Sequence, residues 1–343
     1  MSILDKNVKY FGLDIGQSSV RLVELDKGQT KPVLKHYGLI PTDTGLESDA
    51  ESIAEDLGAK IKQLIGQSKS SAKFAVVGLS ALNSFSNLIV TPKLAKKDLE
   101  GAIRLQADQY IPMEYSKVKV DWDLVGETKD GQSEVFLAAA PKTMVNKVLR
   151  ITQAAGLELL AIEVNAVAMA RSLSDENDNS VAILNIDDNF SEIIIARNAK
   201  PYLTRSLDVG NETLIRTAIQ NLNIDDAQAR EFVYKFGLTT TKLEGQVYKA
   251  LKGSIDSLVG EIKKSVEFYQ SQHSDEGIEK LILAGGAASI PELPVYLANA
   301  LNTSVEIANP WSSISYPASM QDNLMQYATQ FTVAAGLALR MYK

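Results

Sequence analysis

One segment of this sequence occurs twice, and the repeat constrains the fold more than any other feature. In both copies, Phe11 to Leu25 and Val181 to Ile195, an apolar run ends in a short polar turn and a second apolar run follows. Within them, Leu13 to Gly16 match Leu184 to Asp187 position for position, at an offset of 171 residues from Asp14 to Asn185. Each apolar run has the length and alternation of a β-strand, and a third strand follows each pair. The repeat therefore predicts two lobes of one design, produced by duplication.

The length and composition agree with two lobes. The chain has 343 residues, of which 45% are apolar, and a single hydrophobic core stops growing at roughly 250–300 residues. Stretches with the period of a strand alternate with stretches with the period of a helix. We therefore predict an α/β fold built from two lobes.

Charge and cysteine content exclude several classes of function. Lys and Arg number 35 against 42 Asp and Glu, a formal net charge of -7, so the chain has no electrostatic footprint for nucleic acid. The sequence contains no cysteine, and therefore no disulfide or thiolate metal site. No apolar stretch reaches the roughly 18–20 residues that a spanning helix needs, and the N-terminus does not resemble a secretory signal. We expect a cytoplasmic protein without direct membrane insertion.

The first polar turn has two interpretations. The amides of Gly16 to Ser19 are placed to form an anion-binding nest for a phosphate, and Asp14, at the strand end, is placed to hold magnesium through water. The alternative is an ordinary hairpin whose Asp and Ser side chains satisfy the amides of the turn. Taken alone, the segment favours the hairpin; the second copy favours a phosphate loop.

The predicted elements divide the chain into two lobes and an insert. Residues 84–162 follow a β-α-β-β-α-β pattern of their own, and the polar run from Ser174 to Asn179 is typical of a linker. We assign residues 1–83 and 163–175 to the first lobe, 84–162 to the insert, and 176–343 to the second lobe, with a helical part at about 208–275. The C-terminal helix, at 327–339, carries small residues that suit close packing between the lobes.

A glycine pair follows a buried strand near the end of the chain. Gly285 and Gly286 lie between the strand that begins at Lys280 and a following helix. Two bare glycines let a flat base or its phosphate approach the backbone. The alternative is a strand-to-helix turn that binds nothing, because the segment is neither a GxGxxG fingerprint nor a GxxxxGK[ST] phosphate loop.

Several short segments carry a resemblance to a known family. They are Gly12 to Gly16 with Ser19-Val20 and Val23 to Leu25, Ala107 to Pro112, Ala139 to Pro141, Ala155 to Leu157, Glu261 to Ser265 with Phe268-Tyr269, and Leu283 to Ala287. The order of these elements resembles the actin-like ATPase fold, in which two ribonuclease H-like lobes enclose ATP. Within that fold, nearly the whole chain is similar to the PilM family of type IV pilus assembly proteins. The insert resembles the one shared by the PilM and FtsA families, and the lack of the C-terminal amphipathic helix usual in FtsA favours PilM.

The resemblance implies a site for ATP or ADP with magnesium. The matching positions are Asp14, Gly16, Gln17, Ser18 and Ser19 in the first phosphate loop, Asn185 and Asp187 in the second, Glu261 and Lys264 on a helix that holds the sugar, and Gly285 and Gly286 in the adenosine loop. In this match, Asp14 holds the magnesium ion through water. The alternative for Glu261 and Lys264, which lie three residues apart on one helical face, is a solvated salt bridge.

The second phosphate loop departs from the family pattern Asp-Ile-Gly. Asn185 is a poorer magnesium ligand than a carboxylate, and Asp187 brings a side chain and a negative charge toward the place of a phosphate. Glu163 matches the position that orients the attacking water in actin, which makes it the candidate catalytic residue. Because the metal site is altered, we predict weakened nucleotide binding and slow or absent hydrolysis.

The resemblance also implies a function and partners. It implies a scaffold of the pilus inner-membrane platform that binds the short N-terminal tail of a PilN-like membrane protein, in a groove between the first lobe and the insert. Such a protein is peripheral to the inner face of the cell membrane; pilus motor ATPases and a second copy of the chain are further candidate partners. Alternative functions are an active actin-like ATPase or sugar kinase, and FtsA-like filament formation.

Overall fold

The computed structural model describes residues 8–175, 179–273 and 277–342; part of the predicted linker, residues 176–178, lies outside these ranges. Its strands are β1 Tyr10–Ile15, β2 Ser19–Asp26, β3 Val33–Pro41, β4 Phe74–Leu79, β5 Phe85–Thr91, β6 Val118–Glu127, β7 Ser133–Pro141, β8 Glu158–Val164, β9 Val181–Ile186, β10 Ser191–Arg197, β11 Lys200–Leu207, β12 Lys280–Ala284 and β13 Ser304–Ile307. Its α-helices are α1 Ile53–Ser68, α2 Lys96–Tyr110, α3 Lys142–Ala154, α4 Asn165–Leu173, α5 Asn211–Leu222, α6 Asp226–Phe236, α7 Gln246–Gln272, α8 Leu293–Leu301, α9 Gln321–Gln326 and α10 Thr332–Ala338.

The first lobe is built on a five-stranded sheet with the order β3-β2-β1-β4-β8. Strand β1 is antiparallel to β2 and parallel to β4. All six residues of β1 are buried, because helices cover both faces of the sheet. On one face, Phe11 and Leu13 pack with Leu57 and Ile61 of α1 and with Ile151 of α3.

The second lobe repeats this design, as the sequence predicts. Its sheet has the order β11-β10-β9-β12-β13, in which β9 takes the place of β1 and β12 the place of β4. The turns after β1 and β9 close with equivalent hydrogen bonds, since the amide of Gly16 donates to the carbonyl of Ser19 and that of Asp187 to Phe190, both at 3.0 Å. Helices α5, α6 and α7 pack with the outer face of this sheet in one core.

The insert differs from the predicted subdomain. It is a three-stranded antiparallel sheet with the order β5-β7-β6, covered by α2. Strand β8, which the sequence analysis places in the insert, instead pairs with β4 in the first sheet, and α3 packs against α1. A parallel strand beside β4 extends a sheet that α1 and α3 already cover. This pairing moves the end of the insert from residue 162 back to about Pro141.

Two short helices lie between the two sheets. Helix α10 packs on β1 and β2 of the first sheet, α4 packs on β9, β10 and β11 of the second, and the two helices contact each other. Glycines make the contacts close: a Cβ on Gly12 of β1 would overlap the carbonyl oxygen of Ala334, and one on Gly336 would overlap that of Ala168. The C-terminal helix therefore lies between the lobes and joins them in one core.

In the part of the chain that the structure describes, no helix combines the length and apolar character needed to cross a membrane.

Candidate functional site

A cleft lies between the lobes where the turns after β1, β9 and β12 meet. Of the predicted site residues it is lined by Asp14, Gly16, Gln17, Asn185, Asp187, Gly285 and Gly286. The cleft is narrow, since the centre of a water molecule can reach only about 40 Å³ of it, which is room for about three waters. A nucleotide is much larger and would fit this cleft only if the lobes separated.

In the first turn, an arginine holds the carboxylate of Asp14. Arg21 lies opposite Asp14 in the β1–β2 pair, and its Nη1 donates to Oδ2 of Asp14 at 2.9 Å. Burial raises the pKa of Asp14, against the lowering effect of Arg21. Arg21 is the cationic side chain among the described residues that line the cleft, and its Nε is buried with no partner in the described structure. Sequence reasoning missed this residue, although the hairpin register places it beside Asp14.

The rest of the first turn has a structural role. Gly16 donates its amide within the turn, so that amide is not free for a phosphate. Ser19 is buried at the start of β2, and neither Ser18 nor Ser19 is among the residues that line the cleft. Of the predicted nest, Gln17 and the bare Cα of Gly16 remain at the cleft.

The second turn contains two buried acids. Asn185 donates from Nδ2 to Oδ2 of Asp187 at 2.9 Å; burial, with the nearby charge of Asp14, raises the pKa of Asp187 to about 7. Glu192 lies opposite Asn185 in the β9–β10 pair, at the position equivalent to Arg21. Burial and the charge of Asp187 raise the pKa of Glu192 to about 8. Glu192 follows Arg21 by 171 residues, the same offset that relates Asn185 to Asp14. The repeat thus contained the signal for this acid, although the sequence prediction did not include it.

The raised pKa of Glu192 predicts a pH-dependent loss of stability. A glutamate in the unfolded chain loses its proton near pH 4.3, whereas buried Glu192 keeps its proton until about pH 8. The native state thus binds more protons than the unfolded state between these values, and stability falls as pH rises through this window. The Glu192→Gln variant lacks this proton equilibrium. As the pH rises from 6 to 8, its free energy of unfolding should therefore increase by about 2 kcal/mol relative to that of the parent chain. Urea unfolding at both pH values measures this; an equal difference at both would contradict it.

The glycine pair after β12 forms one wall of the cleft. Gly285 has φ 87° and ψ 175°, a conformation that is essentially confined to glycine, and a Cβ there would overlap the carbonyl oxygen of Ile186. Gly286 faces open space, with no atom within 4 Å of a Cβ built there. The first glycine is therefore needed by the fold, and the second leaves bare backbone at the cleft.

Polar side chains that the sequence analysis did not single out complete the cleft. Nδ2 of Asn189, in the second turn, donates to Oε1 of Gln17 in the first and so bridges the two lobes. Asn83 donates to Glu47 at 2.8 Å. Oδ1 of Asn165, at the start of α4, lines the cleft and is buried with no partner in the described structure. Oδ1 of Asn165 therefore needs a hydrogen-bond donor that the described chain does not supply.

Glu163 does not lie where the sequence prediction placed it. Its two carboxylate oxygens accept from Arg171, from Nη1 at 2.7 Å and from Nη2 at 2.8 Å, and Oε1 also accepts from Arg340. Glu163 is not among the residues that line the cleft. A carboxylate held by two guanidinium groups away from the cleft cannot orient water there, so its role in this structure is to tie β8 to α4 and the C-terminal segment.

Glu261 and Lys264 also lie away from the cleft. Oε2 of Glu261 accepts from Arg205 on β11 at 2.6 Å, and Oε1 accepts from Lys264 at 2.7 Å. Neither residue lines the cleft. The structure thus shows the solvated salt bridge that the sequence left open as the alternative to a sugar-binding pair.

The two sheets have the same design, α10 and α4 pack between them, and a cleft lies where their turns meet. These features define an actin-like ATPase fold. The family model described as "Type IV pilus assembly protein PilM" matches residues 12–342. The chain therefore belongs to the PilM family of type IV pilus assembly proteins, as the sequence resemblance implied.

Comparison with individual proteins agrees with this assignment. The solved structure described as "PilM-PilN type IV pilus biogenesis complex" is similar with a TM-score of 0.84 and 27% identity, over 98% of this chain and 99% of that chain. The cell division protein FtsA of Bacillus subtilis (strain 168) is 21% identical over 355 residues, which cover 90% of this chain and 80% of FtsA. MreB5 of Spiroplasma citri bound to AMPPNP shares the fold with a TM-score of 0.55 and 12% identity, over 96% of this chain and 95% of that one.

Proposed function

We propose that this protein is an actin-like scaffold of the type IV pilus inner-membrane platform and binds the N-terminal cytoplasmic tail of a PilN-like membrane protein. The observation that carries this proposal is the likeness, over 98% of the chain, to a structure described as a PilM-PilN complex. Binding of this tail would hold the protein at the inner face of the cell membrane.

The edge of β6 is the place we propose for the tail. Strand β6 pairs only with β7 within its sheet, and it begins at the junction with the first lobe, where Lys142 at the start of α3 donates to the carbonyl of Ser116 at 2.6 Å. An open strand edge accepts an extended peptide by backbone pairing. Asp121 projects from the exposed face of β6, whereas Asp123 on the same face pairs with Lys200 at 3.0 Å. Cytoplasmic segments next to a membrane carry an excess of Lys and Arg, so a basic residue of the tail would match Asp121 in charge.

Titration with a synthetic tail peptide of a PilN-like protein tests the proposal. The chain has two tryptophans; Trp122 lies on β6, whereas Trp311 is buried in a different core. Binding should change the fluorescence of Trp122, and Trp122→Phe should remove the change. Asp121→Lys should weaken binding about tenfold.

The matched control is Asp322→Lys, which reverses an exposed charge on α9. This control should bind the tail like the parent chain. If the parent chain did not bind the tail, the proposed function would be wrong. If Asp121→Lys and Asp322→Lys lost binding equally, the proposed place on β6 would be wrong.

We also propose that the cleft binds ATP or ADP. Three observations at the cleft support it: the bare backbone at Gly286, and the Nε of Arg21 and Oδ1 of Asn165, for which the described residues supply no hydrogen-bond partner. On separation of the lobes, Arg21 would turn from Asp14 to a phosphate, and Asp14 would then be free to hold magnesium through water. Without that movement the acids Asp14, Glu47, Asp187 and Asp188 outweigh one cation at the cleft, which disfavours a polyphosphate.

Substitution of Arg21 tests the nucleotide proposal. Because a hydrogen bond to a charged group contributes roughly 1.5–3 kcal/mol, Arg21→Gln should weaken nucleotide binding at least about tenfold. Arg21→Lys, which keeps the charge, should lose less. Calorimetry with ATP and ADP measures both, with thermal unfolding as the check on folding. Equal affinity in the parent chain and Arg21→Gln would remove Arg21 from the proposed site.

Hydrolysis is the second candidate function, and the geometry disfavours it. The candidate catalytic residue Glu163 is held by Arg171 and Arg340, and Asn185 replaces a metal-binding carboxylate. We propose that hydrolysis is slow or absent. Release of phosphate at several turnovers per second by the purified chain would instead support an active ATPase, and sedimentation with ATP would reveal filaments.

A further inference from the structure

A second and wider groove lies between the insert and the second lobe. The centre of a water molecule can reach about 1140 Å³ of it, far more than in the nucleotide cleft. One side consists of β5 and the β6–β7 hairpin, and the other of β11 and the C-terminal part of α7. The side chains of Ser86 on β5 and Thr204 on β11 are joined by a hydrogen bond of 2.7 Å, which links the two sides.

Two strand edges face this groove. Strand β5 is an outer strand of the insert sheet, and β11 is an outer strand of the second-lobe sheet. Residues of both strands line the groove, among them Asn87 and Leu88 of β5 and Leu203 of β11. Strand edges with unpaired backbone groups pair with extended peptides. The groove is therefore suited to a segment in the extended conformation.

Three apolar side chains form an exposed part of the groove, which we call its rim. Phe268 on α7 is 56% exposed, and Tyr110 at the end of α2 and Val90 on β5 are also exposed. All three line the groove. Because alternate side chains of an extended peptide point the same way, apolar residues at every second position of a bound segment would cover this rim.

The groove is also lined by a buried carboxylate, one oxygen of which has no donor among the residues that the structure describes. Glu134 on β7 is only 3% exposed. Its Oε1 pairs with Nε2 of His273 at 2.8 Å, but its Oε2 is buried without a hydrogen-bond partner in the described residues. A Cβ built on Gly126 would lie 2.6 Å from Oε2 and overlap the hydroxyl of Tyr202, so the bare glycine lets the backbone of β6 pack closely against Glu134. A buried carboxylate oxygen without a donor is costly, so this part of the groove is suited to a ligand that brings a cationic N–H group.

From this geometry we propose that the groove is a second peptide-binding site, distinct from the β6 edge, for an extended segment of a partner protein that carries one Lys or Arg between apolar residues. The basic side chain donates to Oε2 of Glu134, the apolar residues cover Phe268 and Tyr110, and the backbone pairs with the edge of β5. Since β5 and β6 are opposite edges of one sheet, the insert is able to hold two peptides at once. This inference does not depend on the proposed binding of a PilN-like tail.

Selection from a library of random ten-residue peptides, displayed on phage and panned against the full chain, tests this inference. Enriched sequences should share a Lys or Arg flanked by apolar residues at alternate positions. For one enriched peptide, Glu134→Gln should weaken binding at least tenfold, because it removes the charge and keeps the shape, and Phe268→Ser should weaken it several-fold.

The matched controls separate this site from other surfaces. Val295→Ser changes a valine that is 53% exposed on α8, outside the groove, and should leave binding unchanged; Asp121→Lys should also leave it unchanged while it weakens the tail of a PilN-like protein. Failure to enrich any such motif would overturn the inference. So would enriched peptides that bind Glu134→Gln and Phe268→Ser like the parent chain, or that lose binding in Asp121→Lys.

Discussion

Replacing Glu163 with glutamine is expected to lower the free energy of unfolding by about 3 kcal/mol, without an effect on nucleotide affinity. The substitution removes a nearly buried charge that Arg171 and Arg340 share, and Arg171 also donates to the carbonyl of Gly336 on α10 at 2.8 Å. Removing one partner of a buried ion pair leaves the remaining charges without compensation. Urea unfolding measures the loss, and calorimetry with ATP measures the affinity.

A matched control for this prediction is Glu231→Gln. Glu231 pairs with Lys235 at 3.1 Å on the exposed face of α6, and such surface pairs contribute less than about 1 kcal/mol. If Glu163 were catalytic, Glu163→Gln would instead lose ATP turnover, and its free energy of unfolding would stay close to that of Glu231→Gln. The pair of variants thus decides between the interpretation from the sequence and the one from the structure.

Replacing Gly285 with alanine is expected to cost about 3 kcal/mol or more and to abolish nucleotide binding. The backbone at Gly285 has φ 87°, a conformation that costs a residue with a side chain on the order of 1–3 kcal/mol. The added Cβ would also overlap the carbonyl oxygen of Ile186. Ile186 directly precedes Asp187, so relief of the overlap displaces the second turn of the cleft. Thermal unfolding and nucleotide titration measure the two effects.

The neighbouring glycine is the control. A Cβ on Gly286 meets no atom within 4 Å, so Gly286→Ala should unfold close to the parent chain. Its added methyl group lies at the cleft, and it should weaken nucleotide binding if the base or sugar lies against this backbone. Equal loss of stability in both variants would show that the conformation of Gly285 is not the cause.

Most of the fold was predictable because its signals are local. The repeated strand pairs at Phe11 and Val181 specify their own turns and registers, and the apolar runs on both sides of each turn form β1, β2, β9 and β10. The end of the insert was not predictable in this way. Strand β8 has the same local pattern whether it joins β7 or β4, and only the pairing with β4, across a long stretch of sequence, decides between the two.

The candidate site divides along the same line. Asp14, Gly16, Asn185, Asp187 and the glycine pair meet at the cleft because strand ends and turns bring them there, and sequence position determines strand ends. Which way a long charged side chain turns depends on charges contributed by distant segments. Glu163 faces Arg340, which lies 177 residues further along the chain, and no local pattern contains that contact.

The sequence by itself determined the duplicated lobes, the family and the turns that line the cleft, because repeats, periodicity and glycines act over a few residues. Only the tertiary structure decided that Glu192 is buried and keeps its proton, and that Glu163 ties β8 to α4 and the C-terminal segment instead of facing a nucleotide. These outcomes depend on burial and on Coulomb interactions between segments far apart in sequence. Such interactions exist only once the lobes have packed around α4 and α10.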